Sequence, residues 1–393
     1  KYEQKMRNIF DSLTNHDAFG NSSDPGSFYY YVKDGKLAAN SQNYWQLANV
    51  FDTLLDYLRL AQKHSWLNTS TIQSAVKMGY DSYSHSKGCW YDDYGWWGIA
   101  ASKAWDPLYA NVLDGYRSQF EEIATSTFEF MTSGSQRGHS FGAPHVWAKC
   151  NQTTFALAEP RFPGGLWQYD IFGTYVKEDC SGSNPSTPLD LVESGVSADF
   201  LGPYQLTVVN GLYLVLASKL SLANVSNPAI EHHLDNLFGF FKSWITDPSL
   251  KPAHMLQSPT TGLIAERIST YANKNEVHAW DAYTAWTGDQ GLVMAGMLLV
   301  PTRGKEETEF AQSVAAKICK GVLAHIVDSN GLIQPWYPIG NLNKLPTGDA
   351  GDYSSGVGVY MRYLLYALWH DQETVIGLLQ TSEYRRMITV PAE

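Results

Sequence analysis

The stretch Tyr44-Trp45-Gln46-Leu47-Ala48-Asn49-Val50-Phe51-Asp52-Thr53-Leu54-Leu55-Asp56-Tyr57-Leu58-Arg59-Leu60-Ala61-Gln62 sets Trp45, Leu47, Ala48, Phe51, Leu54, Leu55, Leu58 and Leu60 on one apolar stripe. That spacing is the 3.6-residue period of an amphipathic α-helix. Outward from it, the same period predicts helices over roughly 97–109, 111–131, 204–222, 228–246, 288–300, 305–328, 353–370 and 372–381. Strand signals are few and short. Between the helices run Gly/Pro/Ser-rich loops at 64–90, 132–165, 179–203, 247–285 and 329–352. Loops of that length usually carry function. None reads as an interdomain linker, so residues 1–393 are expected to form one domain. Helices alternating with long loops predict an all-α chain of helical hairpins closed into a ring, its loops gathered at one rim. Thr261-Gly262-Leu263-Ile264 is echoed by Asn330-Gly331-Leu332-Ile333, as repeated hairpin turns with a glycine at positive φ would require.

Composition narrows the partners. A net charge of −11, with no Lys/Arg cluster, argues against nucleic acid and anionic membrane surfaces. The longest apolar runs, such as 291–300, are too short to cross a bilayer. Of 393 residues, 13 are Trp and 24 Tyr, many beside Gly, Asp, Asn or Gln. That mixture suits a sugar cleft, where rings stack on C–H faces while polar groups meet hydroxyls, and equally a Trp-rich core. Cys89, Cys150, Cys180 and Cys319 lack ligand spacing, so no zinc or other metal site is expected and up to two disulfides are. Together with four Asn-x-Ser/Thr acceptors at Asn21, Asn68, Asn151 and Asn224, they point to a secreted, extracellular or cell-wall protein.

The densest segment is Cys89-Trp90-Tyr91-Asp92-Asp93-Tyr94-Gly95-Trp96-Trp97-Gly98-Ile99-Ala100. Glycosidic-bond cleavage needs one carboxyl group that keeps its proton and a second that attacks carbon or activates water. Adjacent aspartates among aromatic walls supply both; a plain helix N-cap is the competing reading. His139, His145 and His278 show neither metal spacing nor a nucleophile partner, while Glu266, Glu276 and Asp281 fall in a loop near Trp280 and Trp286.

The segment Trp90–Ala100 resembles the Asp-Asp signature of glycoside hydrolase family 76, the endo-α-1,6-mannanases. Tyr44–Asn49 with Leu55-Asp56-Tyr57 is similar to that family's first helix, and Pro163-Gly164-Gly165-Leu166-Trp167 to its Gly-Gly-apolar-Trp loop. Trp286-Thr287-Gly288-Asp289-Gln290-Gly291 resembles its Tyr-Asn-Gln-Gly helix start, so the likeness runs in order over about residues 40–370. The resemblance implies a six-hairpin (α/α)6 barrel and a retaining mechanism without cofactor. It makes Asp92 the nucleophile and Asp93 the general acid/base, acting on a mannan-like polysaccharide or oligosaccharide in a monomeric enzyme. Tyr91, Tyr94, Trp96, Gly165, Trp167, Gln168, Asp289 and Gln290 then form the substrate-binding set. Gln168 and Asp289 depart from the family pattern, which commonly has Trp and Asn there; Asp289 reads as a third carboxyl group or as a helix cap. These departures keep open a relative on the same scaffold acting on another glycan as glycosidase or transglycosylase. A non-catalytic glycan-binding protein is the remaining alternative.

Overall fold

A computed structural model describes residues 44–85, 91–136, 165–166, 204–248, 255–269, 284–301, 304–338 and 353–370, with short pieces at 30–33, 36–39, 272–273, 276–277, 375 and 377. The chain divides into two compact units, Lys1–Phe130 and Met131–Glu393.

In the first unit, strands β1 (Tyr30–Lys33) and β2 (Lys36–Ala39) pair antiparallel, Tyr30 opposite Ala39. Helices α1 (Tyr44–Lys63), α2 (Thr69–His85), α3 (Tyr91–Ala101) and the start of α4 (Arg117–Gln136) follow. On α1 the expected stripe is buried at Leu47, Ala48, Phe51, Leu55 and Leu58; Trp45, Leu54 and Leu60 keep partial exposure. The helix α2 corrects the loop expected over 64–90. Its apolar signal is diluted by Thr, Ser and Gly, yet Ile72, Ala75 and Val76 are buried. Asn68 caps it, Oδ1 accepting from Thr71 N at 2.8 Å. Gly79 lets Phe51 approach; a Cβ there would fall 1.9 Å from the ring.

Helix α3 also departs from expectation, starting at Tyr91 instead of Trp97 and ending at Ala101. Its sides are buried from Gly95 to Ala101, so it has no polar face for the period to reveal. Beyond it the chain tightens into 3₁₀ turns, Ser102–Trp105 and Pro107–Tyr109. Lys103, 1% exposed, pairs there with Asp52 at 2.5 Å and Asp56 at 2.7 Å. The Tyr109 hydroxyl donates to Asp56; burial and that carboxylate push its pKa far up.

The second unit holds α5 (Thr207–Leu222), α6 (Ala229–Thr246), α7 (Thr287–Leu299), α8 (Lys305–Gly321) and α9 (Gly356–His370). Helix α7 lies at its centre, packed on α5, α8 and α9. Glycines permit this: a Cβ on Gly291 would lie 2.8 Å from Tyr360 Cα, and one on Gly296 2.9 Å from Leu214. Short antiparallel strands interrupt the long loops: β3 (Tyr204–Leu206) with β4 (Arg267–Ser269), β5 (Ala272–Asn273) with β6 (Glu276–Val277), and β7 (Thr284–Trp286) with β8 (Trp336–Pro338).

The echo in the sequence is part of a larger repeat. Thr207 opens α5 with N donating to Glu266 O (3.0 Å) and Oγ1 to Ala265 O (2.6 Å). Thr287 opens α7 identically toward Pro335 O (3.0 Å) and Gln334 O (2.6 Å). Three residues on, Asn210 Nδ2 donates to Leu166 O and Leu206 O while Oδ1 accepts from Leu166 N. Gln290 repeats the pattern with Ile264 O, Trp286 O and Ile264 N. The glycines of the echo, Gly262 and Gly331, have φ of 74° and 83°, the left-handed turn that the sequence requires. Each of α5 and α7 is thereby pinned to the hairpin turn before it and the one after it.

Of the cysteines, Cys319 is buried and its thiol donates to Met294 Sδ at 3.3 Å. No disulfide joins the described residues, and Cys89, Cys150 and Cys180 lie outside them. Also among the described residues, no helix is long and apolar enough to cross a membrane.

Candidate active site

Helix α3 carries Asp92 and Asp93 as its second and third residues, inside its first turn instead of at its cap. The macrodipole at that end favours negative charge. Successive side chains on a helix diverge by about 100°, so the two carboxyl groups meet different surroundings: Asp93 is 6% exposed and Asp92 partly open.

Aromatic rings frame the turn. Phe130 meets Tyr91 edge-on at 5.3 Å between centroids and Tyr94 at 4.6 Å. Tyr94 in turn meets Tyr44 at 5.5 Å. One turn further, Trp96 is buried against Trp45 at 6.1 Å, and Trp97 donates its Nε1 to Tyr44 O at 3.1 Å. Of the expected ligand aromatics, Tyr91 and Trp96 therefore face packing, while Tyr94 retains exposure. Trp45, which the apolar stripe of α1 assigns to the core, is partly exposed above Trp96. Nothing in helical periodicity separates a first-turn core residue from one at the rim.

The expected residues of the second unit are placed as follows. Gly165 is buried, and a Cβ there would fall 2.5 Å from the Phe240 ring, so packing alone demands glycine. Trp167 and Gln168 lie outside the described residues. Gln290 is fully buried, and its amide is engaged with Ile264 and Trp286. Asp289, the third residue of α7, is also fully buried. It occupies the helical position that Asp93 has in α3. Nearby in the fold, Trp286 Nε1 donates to Tyr353 O at 3.2 Å, and the Tyr353 hydroxyl donates to Glu266 Oε2. That buried carboxyl–phenol pair gives Glu266 a partner that sequence proximity could not reveal. Among the described residues, no group of three His, Cys, Asp or Glu side chains is placed to hold a metal.

No protein-family model matches the chain, and no curated protein matches it in sequence. Solved structures do. The GH76A α-1,6-mannanase of Salegentibacter sp. HEL1_6 superposes with a TM-score of 0.56 at 14% identity, over 98% of this chain and 84% of that one. The chain has the fold of that mannanase. An inactive variant of the same enzyme, with two consecutive aspartates changed to asparagine and α-1,6-mannotriose bound, gives 0.53 at 13% identity over the same shares. A sugar epimerase from a ruminal bacterium gives 0.50 at 10% identity, covering 98% and 86%. The fold class is accordingly the expected all-α (α/α)6 barrel.

Proposed function

We propose that the protein is a carbohydrate-active enzyme, a retaining glycoside hydrolase that cleaves α-1,6-mannosidic linkages with Asp92 as nucleophile and Asp93 as general acid/base. The observation that carries this reading is the adjacent pair in the first turn of α3, Asp93 a buried residue and Asp92 a partly exposed one. Burial disfavours the charged form of a carboxyl group, and exposure beside a helix N-terminus favours it. Asp93 is thus the better proton donor and Asp92 the better carboxylate. In the first step Asp92 attacks the anomeric carbon, the glycosidic C–O bond breaks, and the Asp93 proton goes to the leaving oxygen. In the second, water gives a proton to Asp93 and its oxygen displaces Asp92 from the anomeric carbon. Further support comes from the likeness to an α-1,6-mannanase whose inactive variant lacks two consecutive aspartates. Trp45 and Tyr94 are the rings available to stack on sugar.

The likeness to a sugar epimerase supports a second reading, a different glycan reaction on the same scaffold. Asp92→Asn and Asp93→Asn test the first. Each is expected to lower turnover of α-1,6-mannooligosaccharide by at least about 10²–10⁴-fold, with thermal stability near that of the parent. Full activity in either variant overturns the assignment of that residue.

A further inference from the structure

We infer that Asn68 and Asn224 are acceptors for N-linked oligosaccharide. Asn21 and Asn151 lie outside the described residues, but Asn68-Thr69-Ser70 and Asn224-Val225-Ser226 both sit at helix ends, the first opening α2 and the second just past α5. In both triplets the asparagine and the serine are exposed, as transfer to an Asn-x-Ser acceptor requires. Asn68 caps α2 entirely through Oδ1, which accepts from Thr71 N (2.8 Å), Ser70 Oγ (2.7 Å) and Thr71 Oγ1 (2.9 Å). The atom modified is Nδ2, so cap and glycan coexist. Asn224 has φ of 55°, with its N donating to Ser221 O at 2.8 Å in the turn between α5 and α6. Left-handed geometry accounts for an asparagine there; it does not account for the exposed hydroxyl two residues later.

The donor is a polyprenyl-diphosphate-linked oligosaccharide. Asparagine Nδ2 bonds to C1 of the reducing-end sugar, the C1–O bond to diphosphate breaks with its electron pair on the departing lipid diphosphate, and one Nδ2 proton is lost to a base of the transferase. The inference is independent of the reaction proposed above.

The full chain, secreted from a eukaryotic host behind a supplied leader, is digested with an amidase that releases N-glycans in heavy-oxygen water. Peptide mass spectrometry is expected to find heavy-oxygen aspartate at positions 68 and 224. Unmodified asparagine at either position in the folded secreted protein overturns the assignment there. Ser70→Ala and Ser226→Ala remove the acceptor hydroxyl while keeping the Asn68 cap to Thr71 N and the Asn224 turn. Each is expected to lose one glycan without a change in melting temperature, and retention of the glycan overturns the site.

Discussion

Gln290 and Asn210 occupy the same position in two helices and spend their amides in the same way, on the backbone of a buried loop residue. Each amide matches one N–H and two carbonyls that would otherwise be buried without water. Gln290→Leu keeps the approximate volume and leaves Ile264 N and O unmatched. Each buried orphan costs about 1–3 kcal/mol, so denaturant unfolding is expected to show a loss of roughly 2–6 kcal/mol for the two. A loss too small to measure would mean that water replaces the amide. His233 gives a residue-level pH dependence. Burial, with His232 beside it, lowers its pKa to about 4, against about 6.5 in the unfolded chain. The unfolded state therefore binds the proton more readily, and stability present above pH 6.5 is lost as pH falls toward 4. The loss amounts to roughly 3 kcal/mol. Melting curves of His233→Gln are expected to be flatter with pH over that window than those of the parent; parallel curves would contradict the account.

Helices with a polar face were legible, because a one-sided stripe such as that of α1 states its own period. So were α5 and α7, buried almost all round but marked by long apolar runs, whereas the short α3 and the small-residue α2 escape the period. Helix α3 is buried on several sides beyond its two aspartates, so the period places its start nearly two turns late. Helix α2 hides its burial in Ile72, Ala75, Val76 and Gly79. The strands are as short as their few sequence signals, two to four residues each, and the pairings β3–β4 and β7–β8 join residues distant in sequence. Of the candidate site, Asp92 and Asp93 were legible as a pair, but their unequal burial, the exposure of Trp45 and the Glu266–Tyr353 contact arise only when distant elements meet. Glycines test element packing directly. Gly291→Ala forces a Cβ to 2.8 Å from the Tyr360 backbone, and thermal unfolding is expected to show destabilisation of at least about 1–3 kcal/mol from overpacking. Gly239, in the middle of α6, has nothing within 4 Å of a Cβ. Gly239→Ala is expected to stabilise by about 0.5–1 kcal/mol through helix propensity alone. Equal effects at the two positions would contradict the packing described.

For the molecule as a whole, the barrel fold is shared with enzymes that act on carbohydrate in different ways, and fold alone does not choose among reactions. The choice rests on the carboxyl pair of α3. A net charge of −11 and the absence of basic clusters fit a neutral glycan, which needs no electrostatic capture. The most direct test follows the first products released from linear α-1,6-mannan by proton NMR, before mutarotation mixes the anomers. Double displacement at Asp92 with Asp93 as acid/base predicts that the new reducing ends appear first as the α-anomer and drift toward equilibrium. Initial β-anomer, or mannan left uncleaved, would contradict it.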